Sequence, residues 1–211
     1  MRSIPFTVWL IPAVAYLLGS IPFGLIVSRV FGRGDVRKEG SGNIGATNVS
    51  RVAGPLAGIL TLLLDGAKGS AAVLVAGRYS NDSAMWMVIA GLAVLVGHCF
   101  PVWLRFKGGK GVATAAGVYL AMSPPAFLGG LILFSLIAGY SRYVSLGSVA
   151  AAVAMPLLTY FLWAPHHAPP LVVTIASLTI AILIVYKHDA NLQRLAEGTE
   201  PKFSFRRKNA E

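Results

Sequence analysis

Long apolar stretches alternate along this chain with short polar loops. The first runs from Ile4 to Val30. Others follow at Val52–Ala76, Ala84–Phe100, Val112–Met122, Ala126–Tyr140, Ser145–Trp163 and Leu171–Tyr186. A bilayer crossing takes about 20 apolar residues in a helix, because lipid offers backbone groups no partners. The pattern predicts an all-α, polytopic membrane helix bundle with seven transmembrane helices. Pro12, Pro22 and the Gly19-Ser20 pair predict kinks in the first span, which neighbouring helices must satisfy. The fourth span is short: eleven residues rise only about 16 Å against a core of about 30 Å. Ser123-Pro124-Pro125 separates it from the fifth. Five or six crossings are the alternatives to the preferred seven.

Basic residues decide the orientation. With the N-terminus outside, the loop from Phe31 to Arg51 and its edge hold Arg29, Arg33, Arg37, Lys38 and Arg51. The loop Pro101–Gly111 holds Arg105, Lys107 and Lys110, the fifth loop Arg142, and the tail after Tyr186 six more. That is fifteen on one side, against Arg2 and Arg78 on the other, with Lys68 inside span two. The positive-inside rule requires this bias and puts the C-terminus in the cytoplasm. Dropping one crossing would move the tail's six basic residues outside and spoil the bias.

Composition agrees. Of 211 residues, 55% are hydrophobic and 12% charged, and mean hydropathy is +0.68. Soluble domains carry about twice that charge. Seven crossings and their loops leave no room for a separate soluble domain, so residues 1–211 form one integral-membrane domain. The net charge of +10 would suggest nucleic acid in a soluble protein. Here it marks the cytoplasmic face and attracts anionic lipid headgroups. No basic stripe with interleaved aromatics exists, so nucleic acid is excluded. A single cysteine, Cys99, excludes an internal disulfide and a cysteine metal cluster. The N-terminal apolar run is too long for a signal core and stays as the first span.

The chemistry sits in the basic loops. GSGNIGATN holds Gly40, Gly42 and Gly45 in a literal G-x-G-x-x-G, with Asp65 twenty residues on. No strand precedes it and Asp65 lies in an apolar helix, so it is no dinucleotide fingerprint. Glycines beside Ser41, Asn43, Thr47 and Asn48 instead offer amides and polar side chains to an oxyanion, and Arg51 adds a phosphate fork. The segment RFKGGKGVAT is no Walker A loop, because Gly111 follows Lys110 where Ser or Thr is needed. Lys107, Gly108, Gly109, Lys110 and Gly111 nevertheless open a helix, and a helix start with lysines is an anion site.

Asp65 and Lys68 lie i, i+3 on one helix face and either pair or serve a function. His98 ends span three as an interfacial residue. His188, Asn191 and Arg194 share a face just past span seven and can close the site from above. Ser145 and Ser148 start span six, as helix caps or ligand contacts. His166 and His167 receive no role. The sequence has no H-E-x-x-H, no G-x-S-x-G and no metal spacing.

Three segments in order, GSGNIGATNVSR, GHCFPVWLRFKGGKGVAT and KHDANLQRLAEGTEPKF, resemble the bacterial membrane acyltransferases that move an acyl group from acyl phosphate to glycerol 3-phosphate. GSIPFG and LLLDGAKGS are also similar to that family. The resemblance spans nearly the whole chain. It implies seven helices in the inner membrane, a cytoplasmic active site, and lysophosphatidic acid as product. It implies that Ser41, Arg51, Lys110, His188 and Asn191 contact glycerol 3-phosphate or the reacting groups, with His188, Lys110 and Ser41 catalytic. Gly42, Asn43, Gly45, Thr47, Asn48, Lys107, Gly108 and Gly109 would complete the substrate site, with the acyl phosphate nearer the Gly-rich loops and its chain among helices and lipid. Ser145 and Ser148 match the family's serine motif.

An acyl phosphate is already activated, so the expected chemistry is positioning and charge neutralisation, with no cofactor, metal or covalent nucleophile. The His-x4-Asp dyad of soluble-headed acyltransferases is absent: Trp103 and Gln193 stand where Asp is needed. The base is either His188 or a substrate phosphate oxygen. The rival class is a transporter of an anionic solute, which Asp65 and Lys68 keep open.

Overall fold

The structure, a computed structural model, describes residues 6–162 and 171–203. The start of the first span, the end of the sixth, the 165–170 turn with His166 and His167, and the tail residues Arg206, Arg207 and Lys208 lie outside the described residues. So does Arg2.

Every regular element among the described residues is helical. A 3-10 turn at Phe6–Leu10 leads into α1 (Ile11–Ser20), and α2 (Phe23–Val30) follows. Then come α3 (Ala46–Ala53), α4 (Pro55–Ser80), α5 (Ala84–Cys99), α6 (Val112–Met122), α7 (Pro124–Ser141), α8 (Val144–Leu162), α9 (Leu171–Lys187) and α10 (Asp189–Ala196). Five stretches are long and apolar enough to cross a membrane: Val8–Val30, α4, Ala84–Leu104, α7 and α8. A sixth is added if α9 and α10, bent by 58°, count as one. The eleven-residue α6 is a shorter apolar helix.

The first span is one helix in the pattern of apolar residues but two in the structure. Pro22 brings no N–H, and the chain turns extended at Ile21 (ψ 116°) before α2 starts. The break frees carbonyls, and Lys68 of α4 takes them: its Nζ donates to Gly19 O at 2.8 Å and Ile21 O at 3.0 Å. The same ammonium pairs with Asp65 at 2.8 Å, with both residues buried. The intramembrane charges are therefore a mutual pair that also closes a helix break.

The loop from Phe31 to Arg51 is not a plain connector. Its second half is α3, whose buried Asn48 and Val49 pack it down. Gly54, at φ 94°, turns the chain directly into Pro55, the first residue of α4. Proline suits that position, where its missing donor is not needed. Consequently α4 begins three residues later and ends four later than the apolar pattern predicts.

Backbones approach closely where glycine permits it. A Cβ on Gly19 of α1 would meet Val94 O of α5 at 2.1 Å, and one on Gly97 of α5 would meet Tyr16 O of α1 at 2.1 Å. Gly69 and Gly117 make the same kind of seam between α4 and α6. Small residues drive such contacts in lipid, where apolar burial drives none. The main core holds Val73, Val94, Leu95 and Val118. A second cluster of Leu25, Val27, Val36, Ile44, Val49 and Ala57 seats α3 against α2 and α4. Leucines 56, 63, 136 and 157 and Ile182 are exposed on the outside of the bundle. That surface suits lipid tails.

Candidate active site

The second core cluster fixes the loop ahead of α3, and Asn48 organises it. Its Nδ2 donates to Val36 O (3.0 Å), Glu39 O (3.1 Å) and Asn43 O (2.9 Å), while its Oδ1 accepts from Ser41 N–H (2.8 Å). Gly40, at φ 60°, lies so close that a Cβ would meet Asn48 Oδ1 at 2.1 Å. Asn43 Oδ1 accepts from Gly45 N–H at 2.8 Å, and Gly42 N–H is bound to Glu39 O at 3.1 Å. This corrects the expectation of open loop amides wrapping an oxyanion: those of Ser41, Gly42 and Gly45 are engaged. The side chains of Ser41, Thr47 and Arg51 make no hydrogen bond within the described residues and remain available.

The GGKG turn is also engaged through its backbone. Gly108 N–H donates to Cys99 O (3.2 Å) and Gly109 N–H to His98 O (3.1 Å). Lys107 is exposed. Beyond the turn, Gly111 at φ 85° starts α6. The first amides of a helix have no intrahelical partner, and here they carry the positive end of the α6 dipole. Gly111, Val112 and Ala113 face the same cavity as Lys110.

That cavity, of about 160 Å³, gathers most of the expected residues. Ser41, Asn43, Gly45, Thr47, Asn48 and Arg51 line one wall, Lys110 and the start of α6 another. Ser145, Ser148, His188 and Asn191 complete it. Gly42, Lys107, Gly108 and Gly109 do not line it. Asp65, His98, Arg194 and Glu200 do, and so do Leu62 and Phe134. Leu62 is half exposed on the outside of α4, so the cavity has an apolar edge facing lipid.

Glu200 is the residue that sequence reasoning missed. After α10 the chain turns at Gly198 (φ 72°) and carries the carboxylate back into the site. Ser145 Oγ donates to its Oε1 at 2.6 Å and Asn191 Nδ2 at 2.7 Å; Arg194 Nε donates to its Oε2 at 2.8 Å. Burial works against its charge, but these three bonds outweigh it and hold the carboxyl below the usual range. Glu200 thus ties α8 to α10 over the cavity. Ser145 is a strut of this tie rather than a helix cap. Ser148 Oγ donates within its own helix to Val144 O at 2.8 Å. Only the EGTEP run after a polar helix could have signalled Glu200.

Lys110 Nζ donates to Asn191 Oδ1. Burial lowers its pKa to about 8, with Glu200 opposing and Arg194 and Arg51 assisting. It stays mostly charged at neutral pH. His188 lies one residue past the end of the α9 span. Its Nδ1 is 2.8 Å from Ile184 O, and a carbonyl can only accept, so Nδ1 carries the proton and Nε2 does not. Burial, and then Lys110, push its pKa down to about 4 against the pull of the Ile184 bond. The imidazole is neutral at pH 7. Three cations, a helix start, a neutral imidazole and free hydroxyls therefore surround one small cavity with a lipid-facing edge. Such an arrangement has the chemistry to hold a phosphate and to accept a hydrogen bond from a hydroxyl.

Comparison with known proteins places the chain among named relatives. A family model described as glycerol-3-phosphate acyltransferase matches residues 9–198. A protein of that name from Trichlorobacter lovleyi is 51% identical over 191 residues, covering 90% of this chain and 95% of its own. Another, from Geobacter sulfurreducens, is 50% identical over 194 residues, covering 92% and 96%. The crystal structure of PlsY, an integral membrane glycerol 3-phosphate acyltransferase, in its glycerol 3-phosphate form superposes with a TM-score of 0.86. It is 38% identical, and the match covers 94% of this chain and 96% of that one. The lysophosphatidic acid form of PlsY gives 0.84 at 37% identity, with the same coverage.

Proposed function

This chain belongs to the glycerol-3-phosphate acyltransferase family, and we propose that it acylates the primary hydroxyl of glycerol 3-phosphate from acyl phosphate. The products are lysophosphatidic acid and phosphate. The observation that carries this reading is the convergence of Arg51, Lys110, His188 and Asn191, from three distant parts of the chain, on one cavity open to lipid.

Glycerol 3-phosphate places its phosphate between Arg51 and Lys110, with Ser41 and Thr47 donating hydroxyls. Asn191 holds the Lys110 ammonium in place. The acyl phosphate sets its own phosphate at the start of α6 and runs its tail past Leu62 and Phe134 into the bilayer. The hydroxyl oxygen attacks the acyl carbonyl, a C–O bond forms, and the bond to phosphate breaks. His188 Nε2 accepts a hydrogen bond from the attacking hydroxyl and aligns it. An imidazole this weakly basic does not hold the proton well, since an effective base has a pKa near the working pH. The proton ends on a substrate phosphate oxygen. Positioning and charge neutralisation then supply the acceleration.

In the membrane, the reading is seven crossings, α6 among them, with the N-terminus outside and the site on the cytoplasmic face of the inner membrane. The basic bias of fifteen to two supports it. Both substrates are then met on one side. The transporter reading loses its support, because Asp65 and Lys68 are engaged with each other and with the α1 break.

Purified protein in detergent, given labelled glycerol 3-phosphate, tests the donor. Label should enter lysophosphatidic acid with palmitoyl phosphate and not with palmitoyl-CoA. Incorporation from the thioester alone would contradict the reading.

A further inference from the structure

Asp65, Lys68 and His98 form a buried polar cluster that the reaction above does not use. Asp65 sits in α4 at 2% exposure and His98 ends α5 at 4%. Lys68 is fully engaged by Asp65 and two backbone carbonyls, which pins the carboxylate. His98 Nδ1 lies 3.4 Å from Asp65 Oδ1. On its far side, the ring meets the backbone of Gly109 so closely that a Cβ there would be 2.1 Å from Nε2. The His98 carbonyl also accepts the Gly109 N–H. Lys110 is the next residue.

We propose that His98, oriented by Asp65, is a positioning residue that seats the GGKG turn and so aims Lys110 into the phosphate site. The claim rests on the reading of function given above. It separates two contacts. The backbone bond from Gly109 to His98 survives any side chain at 98. The ring against Gly109 does not, and a Cβ at position 109 would run into it. Without the ring, the turn can settle toward α5 and draw the Lys110 ammonium away from Asn191 and the substrate phosphate. A misplacement of about 1 Å at such a group is enough for an effect of about 100-fold.

A double-mutant cycle on the full-length protein in detergent tests this, with kcat and KM for glycerol 3-phosphate as the readout. Gly109→Ala forces the new Cβ against the imidazole and should raise KM by about 100-fold. The same change on a His98→Ala background should raise it by no more than about threefold, because the clashing ring is gone. His98→Asn, which keeps an N–H facing Asp65, should recover part of the loss that His98→Ala causes. Equal effects of Gly109→Ala on both backgrounds would overturn the proposal. If His98→Ala does not accumulate folded, Gly109→Ala alone decides: an unchanged KM overturns it. If the wild-type protein makes no lysophosphatidic acid, the functional reading fails on its own. The cycle is then read from the affinity for glycerol 3-phosphate by calorimetry, where additive effects again overturn the seating role.

Discussion

Lys110 gives the sharpest prediction, because the proposed phosphate grip needs its charge and burial makes that charge labile. Burial moves its pKa from 10.5 to about 8, so the ammonium form prevails below pH 8 and is lost as pH rises through it. A phosphate monoester is already doubly ionised there, with a second pKa of about 6, so the substrate does not change. The charged fraction falls about tenfold between pH 7 and pH 9 for a pKa of 8. If the ammonium is what holds glycerol 3-phosphate, kcat/KM should fall about tenfold over that range, since this ratio reports the free enzyme. Lys110→Arg keeps its charge past pH 12. Its absolute rate should be lower, as a planar fork does not replace a point charge, but the basic limb should vanish. Lys110→Ala at pH 7 removes a charged hydrogen bond worth about 1.5–3 kcal/mol, or about 10- to 100-fold in kcat/KM. The assay is initial-rate product formation in detergent across pH 6 to 10. A flat wild-type profile to pH 10, or the same basic limb in Lys110→Arg, would refute the reasoning.

Other residues give further expectations. Arg51→Ala should raise KM for glycerol 3-phosphate by about 10- to 100-fold with little change in melting temperature, because Arg51 is exposed and makes no hydrogen bond among the described residues; steady-state kinetics beside a melting curve checks it. Lys68→Met takes the buried Asp65 carboxylate's ammonium away and leaves only the His98 ring beside it, at a cost of about 3–5 kcal/mol, and should not accumulate as folded protein. Adding Asp65→Asn should restore folding, as size-exclusion profiles would show. Glu200→Ala cuts the bonds from Ser145, Asn191 and Arg194 and should lower both melting temperature and activity, while Glu200→Gln retains more of each. Gly117→Ala would place a Cβ 1.9 Å from Gly66 O and should destabilise the α4–α6 seam by about 1–3 kcal/mol, seen as a lower melting temperature.

What the sequence shows of the fold is what lipid demands: apolar stretches of crossing length. The helices from α4 to α9 were legible as apolar stretches, although α6 has only eleven residues and α9 reaches crossing length only together with α10. The break at Pro22 was legible only as a kink, since its repair by Lys68 comes from a helix 47 residues away. Helix α3 was not visible, because it is short and polar on average and owes its place to Val49 packing against α2 and α4 and to Asn48 bonding the loop before it. For the site, the motifs named Arg51, Lys110, His188 and Asn191, and the fold brings them together. The glycines misled. Gly108 and Gly109 read as ligand-cradling residues, yet their amides bind the end of α5 and their missing side chains admit His98. A glycine required for close packing and one required for binding look the same in a sequence. Glu200 stayed hidden because its partners lie on α8 and α10 and no spacing rule links them.

The account stands on one claim: Arg51, Lys110 and Asn191 form a single phosphate-gripping site. A structure of this protein soaked with glycerol 3-phosphate tests it most directly. The phosphate should lie within hydrogen-bonding distance of both Arg51 and Lys110, with the primary hydroxyl toward His188 Nε2. A phosphate bound away from Lys110, or one seated on the loop amides instead, would contradict it.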